Sequence, residues 1–109
     1  MKVFNQTRNM IIAEEVIEPK TLLDKSLGLL RYKTPVAMLF HTRYGIHTFG
    51  MRYAIDVLIL DKDNQVVAMK QELKPNLIFT WDTRYESVLE LPRGTIKKTT
   101  TALGDTIKF

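Results

Sequence analysis

Apolar residues recur along this chain in short runs with polar breaks between them, the rhythm of strands and not of long helices. Residues 1–5 and 10–16 are β-rich runs separated by Gln6, Thr7, Arg8 and Asn9, a hairpin-length connection. The period then changes. Thr21 followed by Asp24 resembles a capping box, Leu22, Leu23 and Leu27 take helical spacing, and Gly28 suits a left-handed C-terminal position, so a helix of about two turns is expected. After Pro35 the run from Val36 to Phe40 has strand length, and Gly45 marks a turn into another short strand.

The clearest hairpin joins residues 54–60 to 65–69 through Asp61, Lys62, Asp63 and Asn64, and is expected at the centre of the sheet. Ile55, Val57 and Ile59 alternate with Asp56, Leu58 and Leu60, so both faces of that strand are apolar and Asp56 should be covered. Residues 75–86 read as an irregular stretch holding Phe79, Trp81 and Tyr85. A further strand spans Ser87 to Leu91, with Glu90 on the face opposite Leu89 and Leu91, and Pro92 and Gly94 end it. A helical turn near Thr95, a tight turn at Gly104 and Asp105, and a last strand over 106–109 complete the chain. These elements predict one mainly β domain over residues 1–109, a small barrel or sandwich of about seven short strands with one or two short helices.

Composition narrows the function classes. At 109 residues and 45% hydrophobic content the chain fills a single core. The absence of cysteine removes disulfides, zinc-thiolate sites and cysteine nucleophiles. The N-terminal residues lack a signal-peptide run and no apolar stretch reaches membrane-spanning length, so a soluble cytoplasmic protein without membrane contact is expected. No P-loop or dinucleotide fingerprint occurs, Ser26 and Ser87 lack a nucleophile elbow, and no cofactor is expected.

The net charge of +4 is below what a committed nucleic-acid binder carries, so nucleic acid is an unlikely partner. Charge distribution says more. No acid lies between Asp24 and Asp56, whereas Lys25, Arg31, Lys33, Arg43, Arg52, His41 and His47 all do. Gathered on one face these cations would attract an anion; otherwise they are cations scattered over solvated loops. Phe79, Trp81 and Tyr85 beside Arg84 offer base stacking or, more simply, a plug for the end of the fold.

Several separated segments carry a family resemblance: Gly28-Leu-Leu-Arg31, Met38-Leu-Phe40, His47-Thr-Phe-Gly-Met-Arg52, Ile55-Asp56 through Asp61, Val66-Val67, and Val88-Leu-Glu-Leu-Pro-Arg-Gly94 followed by Gly104-Asp105. In order and spacing the chain resembles the domain-of-unknown-function 192 family over nearly all its length after Lys20. The resemblance implies a compact, mainly β fold and no particular reaction. It also implies recurring polar positions, which fall here on Arg31, Arg52, Asp56 and Glu90, with Phe49 where many members carry tryptophan and Ala54 where many carry proline.

The candidate chemistry centres on Asp56, since a carboxylate in a covered strand needs a cation or several donors beside it. Arg52 and Arg31 are the candidate cations; a guanidinium fork would hold the carboxylate bidentately. The same pair reads either as an internal ion pair or as part of a ligand site. The ligand reading gathers Arg31, His47, Arg52, Asp56 and Glu90 around a cleft for a small anionic or sugar-like ligand. Its rival is a structural or protein-interaction module in which these residues form internal salt bridges. A third possibility, a hydrolase, would use Asp56 and Glu90 as paired carboxylates. His41 and His47 with a carboxylate would be needed for a metal, and none is expected. Met10, Met38, Met51 and Met69 read as packing.

Overall fold

A computed structural model describes residues 1–19 and 36–109. The helix expected from Thr21, and Arg31, lie outside the described residues. Ten strands and one helix are present among those described: β1 Val3–Asn5, β2 Met10–Ala13, β3 Val16–Ile17, β4 Ala37–His41, β5 Ile46–His47, β6 Ile55–Leu60, β7 Val66–Leu73, β8 Ile78–Phe79, β9 Ser87–Pro92, α1 Thr95–Thr99 and β10 Ile107–Lys108.

A five-stranded sheet in the order β3-β4-β9-β6-β7 forms the middle of the molecule. All its pairings are antiparallel except β3 with β4. A three-stranded sheet, β10-β1-β2, packs on one side, and the two-stranded ribbon β5-β8 lies on the other. Among the described residues β3 and β7 are the edges of this sheet and do not pair with each other, so it does not close, and the fold is sandwich-like and not a barrel. The strand count exceeds the sequence expectation because the run over 10–16 divides into β2 and β3, and because β8, two residues within the stretch read as irregular, leaves no periodic signature.

The hairpin β6-β7 forms as expected but is not central. Strand β9 holds the middle, bonded to β4 on one side and β6 on the other, while β7 is an edge. Edge position explains why Lys70, Gln71 and Glu72 extend β7 well beyond Met69 while exposed to solvent.

Alternation along β6 and β9 separates two cores. Leu58, Leu60, Leu89 and Leu91 pack with Val3, Ile96 and Ile107 on one face. Ile55, Val57, Ile59 and Val88 pack with Met38 and Ile46 on the other, where Phe79, Trp81 and Tyr85 cover them. The aromatic stretch is therefore a plug, and its indole N–H donates to the Tyr85 carbonyl at 2.7 Å. Gly45 lets the ribbon lie close: φ is +93°, and a side-chain carbon there would sit 2.9 Å from the Phe79 carbonyl oxygen.

The chain ends are tied by one buried acid. Asp105 Oδ2 accepts from Asn5 Nδ2 at 3.0 Å, Arg8 Nε at 3.0 Å and the Ala102 N–H at 2.9 Å. Burial pushes this carboxyl up, but the hydrogen bonds from Arg8, Asn5 and Ala102 outweigh it and hold the acid below its ordinary value.

Candidate functional site

Asp56 is fully buried, as the pattern of β6 requires, but no cation is paired with it among the described residues. Backbone amides satisfy it. Its Oδ1 accepts from the Glu72 N–H at 2.9 Å and its Oδ2 from the Ile96 N–H at 2.8 Å. Both donors are groups that regular structure leaves orphaned. The β6-β7 register shifts between Ile55 and Val57, placing Glu72 in a bulge at φ +52°, where its amide falls out of the ladder. Helix α1 begins after Gly94, which has no side chain to cap it, so a carboxylate from 40 residues earlier takes the second amide of the first turn.

Glu90 has the opposite surroundings. It sits beside Val57 on β6 and Met38 on β4, on the face of Val88, and only 6% of it is exposed. Among the described residues no cation or donor is paired with it, and burial alone pushes its carboxyl up to about 7. Tyr53 feels its charge: that phenol is raised first by its own partial burial and then by Glu90. β9 ends at Pro92, two residues from Glu90, and Pro92, Val36 and Ile17 line a largely apolar cavity of about 360 Å³ shared with Ile12, Ala13, Ala37 and the acid Glu15; Glu90 itself does not line it.

Asp56 pairs across the ladder with Leu91, and Glu90 with Val57, so the two carboxyls project from opposite faces of the central sheet. They do not flank a common bond, as paired carboxylates in hydrolysis must. Arg52 is exposed in the loop after β5 and is not paired with Asp56. His47 is exposed on β5, its ring stacked on Phe49 at 5.0 Å. The four described residues of the expected cluster are thus not brought together. No group of three histidine or carboxylate side chains among the described residues is placed to hold a metal.

The residue that sequence reasoning missed is Thr48. It is fully buried; its hydroxyl donates to the Lys74 carbonyl at 2.6 Å and accepts from the Leu77 N–H at 3.0 Å. Its own N–H donates to the Leu77 carbonyl, and its carbonyl accepts from Met51 and Asn76. Thr48 clasps two loops, and His47 and Phe49 stand outward on either side of it. The polar, glycine-broken motif from His47 to Gly50 was visible, but a threonine in such a motif has no signal separating a buried hub from a surface residue.

These features define a small two-faced β domain that uses one buried carboxyl as a backbone bridge and holds another with no partner among the described residues. The chain belongs to the domain-of-unknown-function 192 family, described as "Uncharacterized ACR", which it matches over residues 8–109. It is 32% identical over 113 residues to the UPF0127 protein PH1112 of Pyrococcus horikoshii, covering 98% of this chain and 97% of that one. The UPF0127 protein PF1050 of Pyrococcus furiosus is 28% identical over the same shares of each chain. Among solved structures, a protein of unknown function from Novosphingobium aromaticivorans superposes with a TM-score of 0.77 at 15% identity, over 99% of this chain and 82% of that one, which shows a shared fold.

Proposed function

We propose that the protein binds a small ligand on the Glu90 face of its central sheet, and that the ligand presents uncharged, sugar-like hydroxyl groups there and not a free anion. The observation that supports this is Glu90 itself, a buried acid without a partner among the described residues. Such a group is costly to fold around, and an apolar side chain between Met38 and Val57 would pack at less cost, so stability does not account for it. Protonated, the acid donates one hydrogen bond and accepts others, which matches a hydroxyl. Ionised, it repels an anion. The cavity bounded by Ile17, Val36 and Pro92 is reached along β9, two residues beyond Glu90, and the Tyr53 phenol is close enough to feel the Glu90 charge.

Saturation-transfer NMR against a panel of mono- and disaccharides, with inorganic phosphate as the anionic control, tests the reading. Sugar signals are expected with the wild-type protein and lost in Glu90→Leu, which should nevertheless melt higher. Binding of phosphate in place of sugars, or a Glu90→Leu variant that melts lower, would refute it. The rival reading, a structural module with internal polar contacts, is favoured at Asp56, whose two oxygens are both engaged by backbone amides.

A further inference from the structure

A second surface lies on the outside of the β5-β8 ribbon. His47 and Ile78 are directly opposite in the register, and Phe49 stacks on His47 with an interplanar angle of 23°. Phe49, Leu77 and Ile78 keep 49%, 45% and 64% of their surface bare. The backbone that carries them is tied by hydrogen bonds. Besides the Thr48 clasp, the Gly50 N–H donates to Asn76 Oδ1 at 3.2 Å, and the Phe49 N–H donates to His47 Nδ1 at 3.3 Å. The latter bond leaves His47 Nε2 as the outward donor of the neutral ring. Large apolar side chains on a braced platform are the usual anchors of a binding surface.

Charge identifies the occupant. Residues 46–53 and 73–79 contain Arg52 and Lys74 and no acid. Both cations are exposed, and the nearest acid along the chain, Glu72, is taken by Arg93 at 2.9 Å. A second copy of this chain is disfavoured, because a two-fold contact would set these cations against each other. Three half-bare side chains also fall well short of the roughly 800 Å² per partner of a stable protein interface. A short segment needs less. Among the described residues the ribbon has two strands, so each has an outer edge without a partner in that sheet, and an extended peptide can lie along one of them.

We propose that this ribbon face docks a short, extended, acidic peptide segment of a partner protein, its apolar side chains on Phe49, Leu77 and Ile78 and its carboxylates near Arg52 and Lys74. The site is independent of the Glu90 face. The test is selection of a randomised 12-residue display library on the intact protein, with the enriched peptides then measured by fluorescence anisotropy. Enrichment of sequences combining Asp or Glu with large apolar residues is expected. Their affinity should fall at least tenfold in Phe49→Ala/Ile78→Ser and severalfold in Arg52→Glu, with both variants keeping wild-type circular dichroism. No enrichment, or peptides indifferent to those substitutions, would overturn the proposal. So would tighter binding, through the same residues, to phosphatidylglycerol vesicles or to a thymidine oligonucleotide, which would assign the surface to a lipid or to single-stranded nucleic acid.

Discussion

Replacing Glu90 by glutamine tests how the buried acid is carried. In the folded protein its carboxyl is raised from 4.5 to about 7. Below pH 4.5 the group is protonated in both folded and unfolded chains and contributes no pH dependence. Between that value and about 7 the folded state holds a proton that the unfolded state has released, so stability falls as pH rises. At about 1.4 kcal/mol for each pH unit of displacement, the loss from pH 4.5 to pH 8 is on the order of 3 kcal/mol. Glutamine keeps the size and neutral polarity of the protonated acid without titrating. At pH 5 the variant and the wild type should melt within a few degrees of each other, while at pH 8 the variant should melt roughly 10 °C higher. Differential scanning calorimetry at the two pH values provides the measurement. A wild-type melting temperature unchanged between them, or a variant less stable at pH 8, would show that Glu90 has a charge partner and that the reasoning from its burial fails.

Three further outcomes follow from the geometry. Asp56→Asn turns an amide nitrogen toward one of two backbone N–H groups and should cost about 3 kcal/mol in urea unfolding, with loss of helix at Thr95–Thr99 visible by hydrogen exchange. Arg52→Ala should change stability by less than ~0.5 kcal/mol in the same assay, since the side chain is exposed; a cost of several kcal/mol would restore an ion pair with a buried carboxylate. Asp105, held below its ordinary value, stabilises the fold above about pH 4 and loses that contribution as pH falls through its lowered value. Melting temperature against pH should therefore peak in mildly acidic solution, its acid limb flattened by Asp105→Asn.

The parts of the fold legible in the sequence were those with a long period. The hairpin of Ile55 and Val66, the strand of Val88 and Leu89, the helical turn at Thr95 and the burial of Asp56 all follow from alternation or punctuation that extends over several residues. A short strand after Gly45 was legible, but its partner Ile78–Phe79, two residues inside an irregular stretch, carries no period, so their pairing beside the Thr48 clasp was not. Strand order was illegible for another reason: pairing β9 between β4 and β6 joins segments far apart in sequence, and the apolar runs of all three are interchangeable. The partner of Asp56 was missed because a carboxylate needs donors, and a sequence displays side-chain donors but not the backbone amides that a bulge and an uncapped helix leave free.

The two carboxyls separate structure from function within a single pair of neighbouring strands. Asp56 and Glu90 are one rung apart in the ladder and similarly buried, yet one rung changes the face of the sheet. On the Asp56 face, Glu72 at φ +52° and the uncapped start of α1 supply two donors whose own burial requires an acceptor, so acid and amides satisfy each other. On the Glu90 face the apolar neighbours are Met38, Val57 and Val88, and the Tyr53 phenol is close enough to feel the charge. A hydrophobic residue at 56 would leave two amides stranded. Among the described residues the fold therefore supplies hydrogen-bond partners to Asp56 and none to Glu90, and the proposed ligand is to be sought at Glu90.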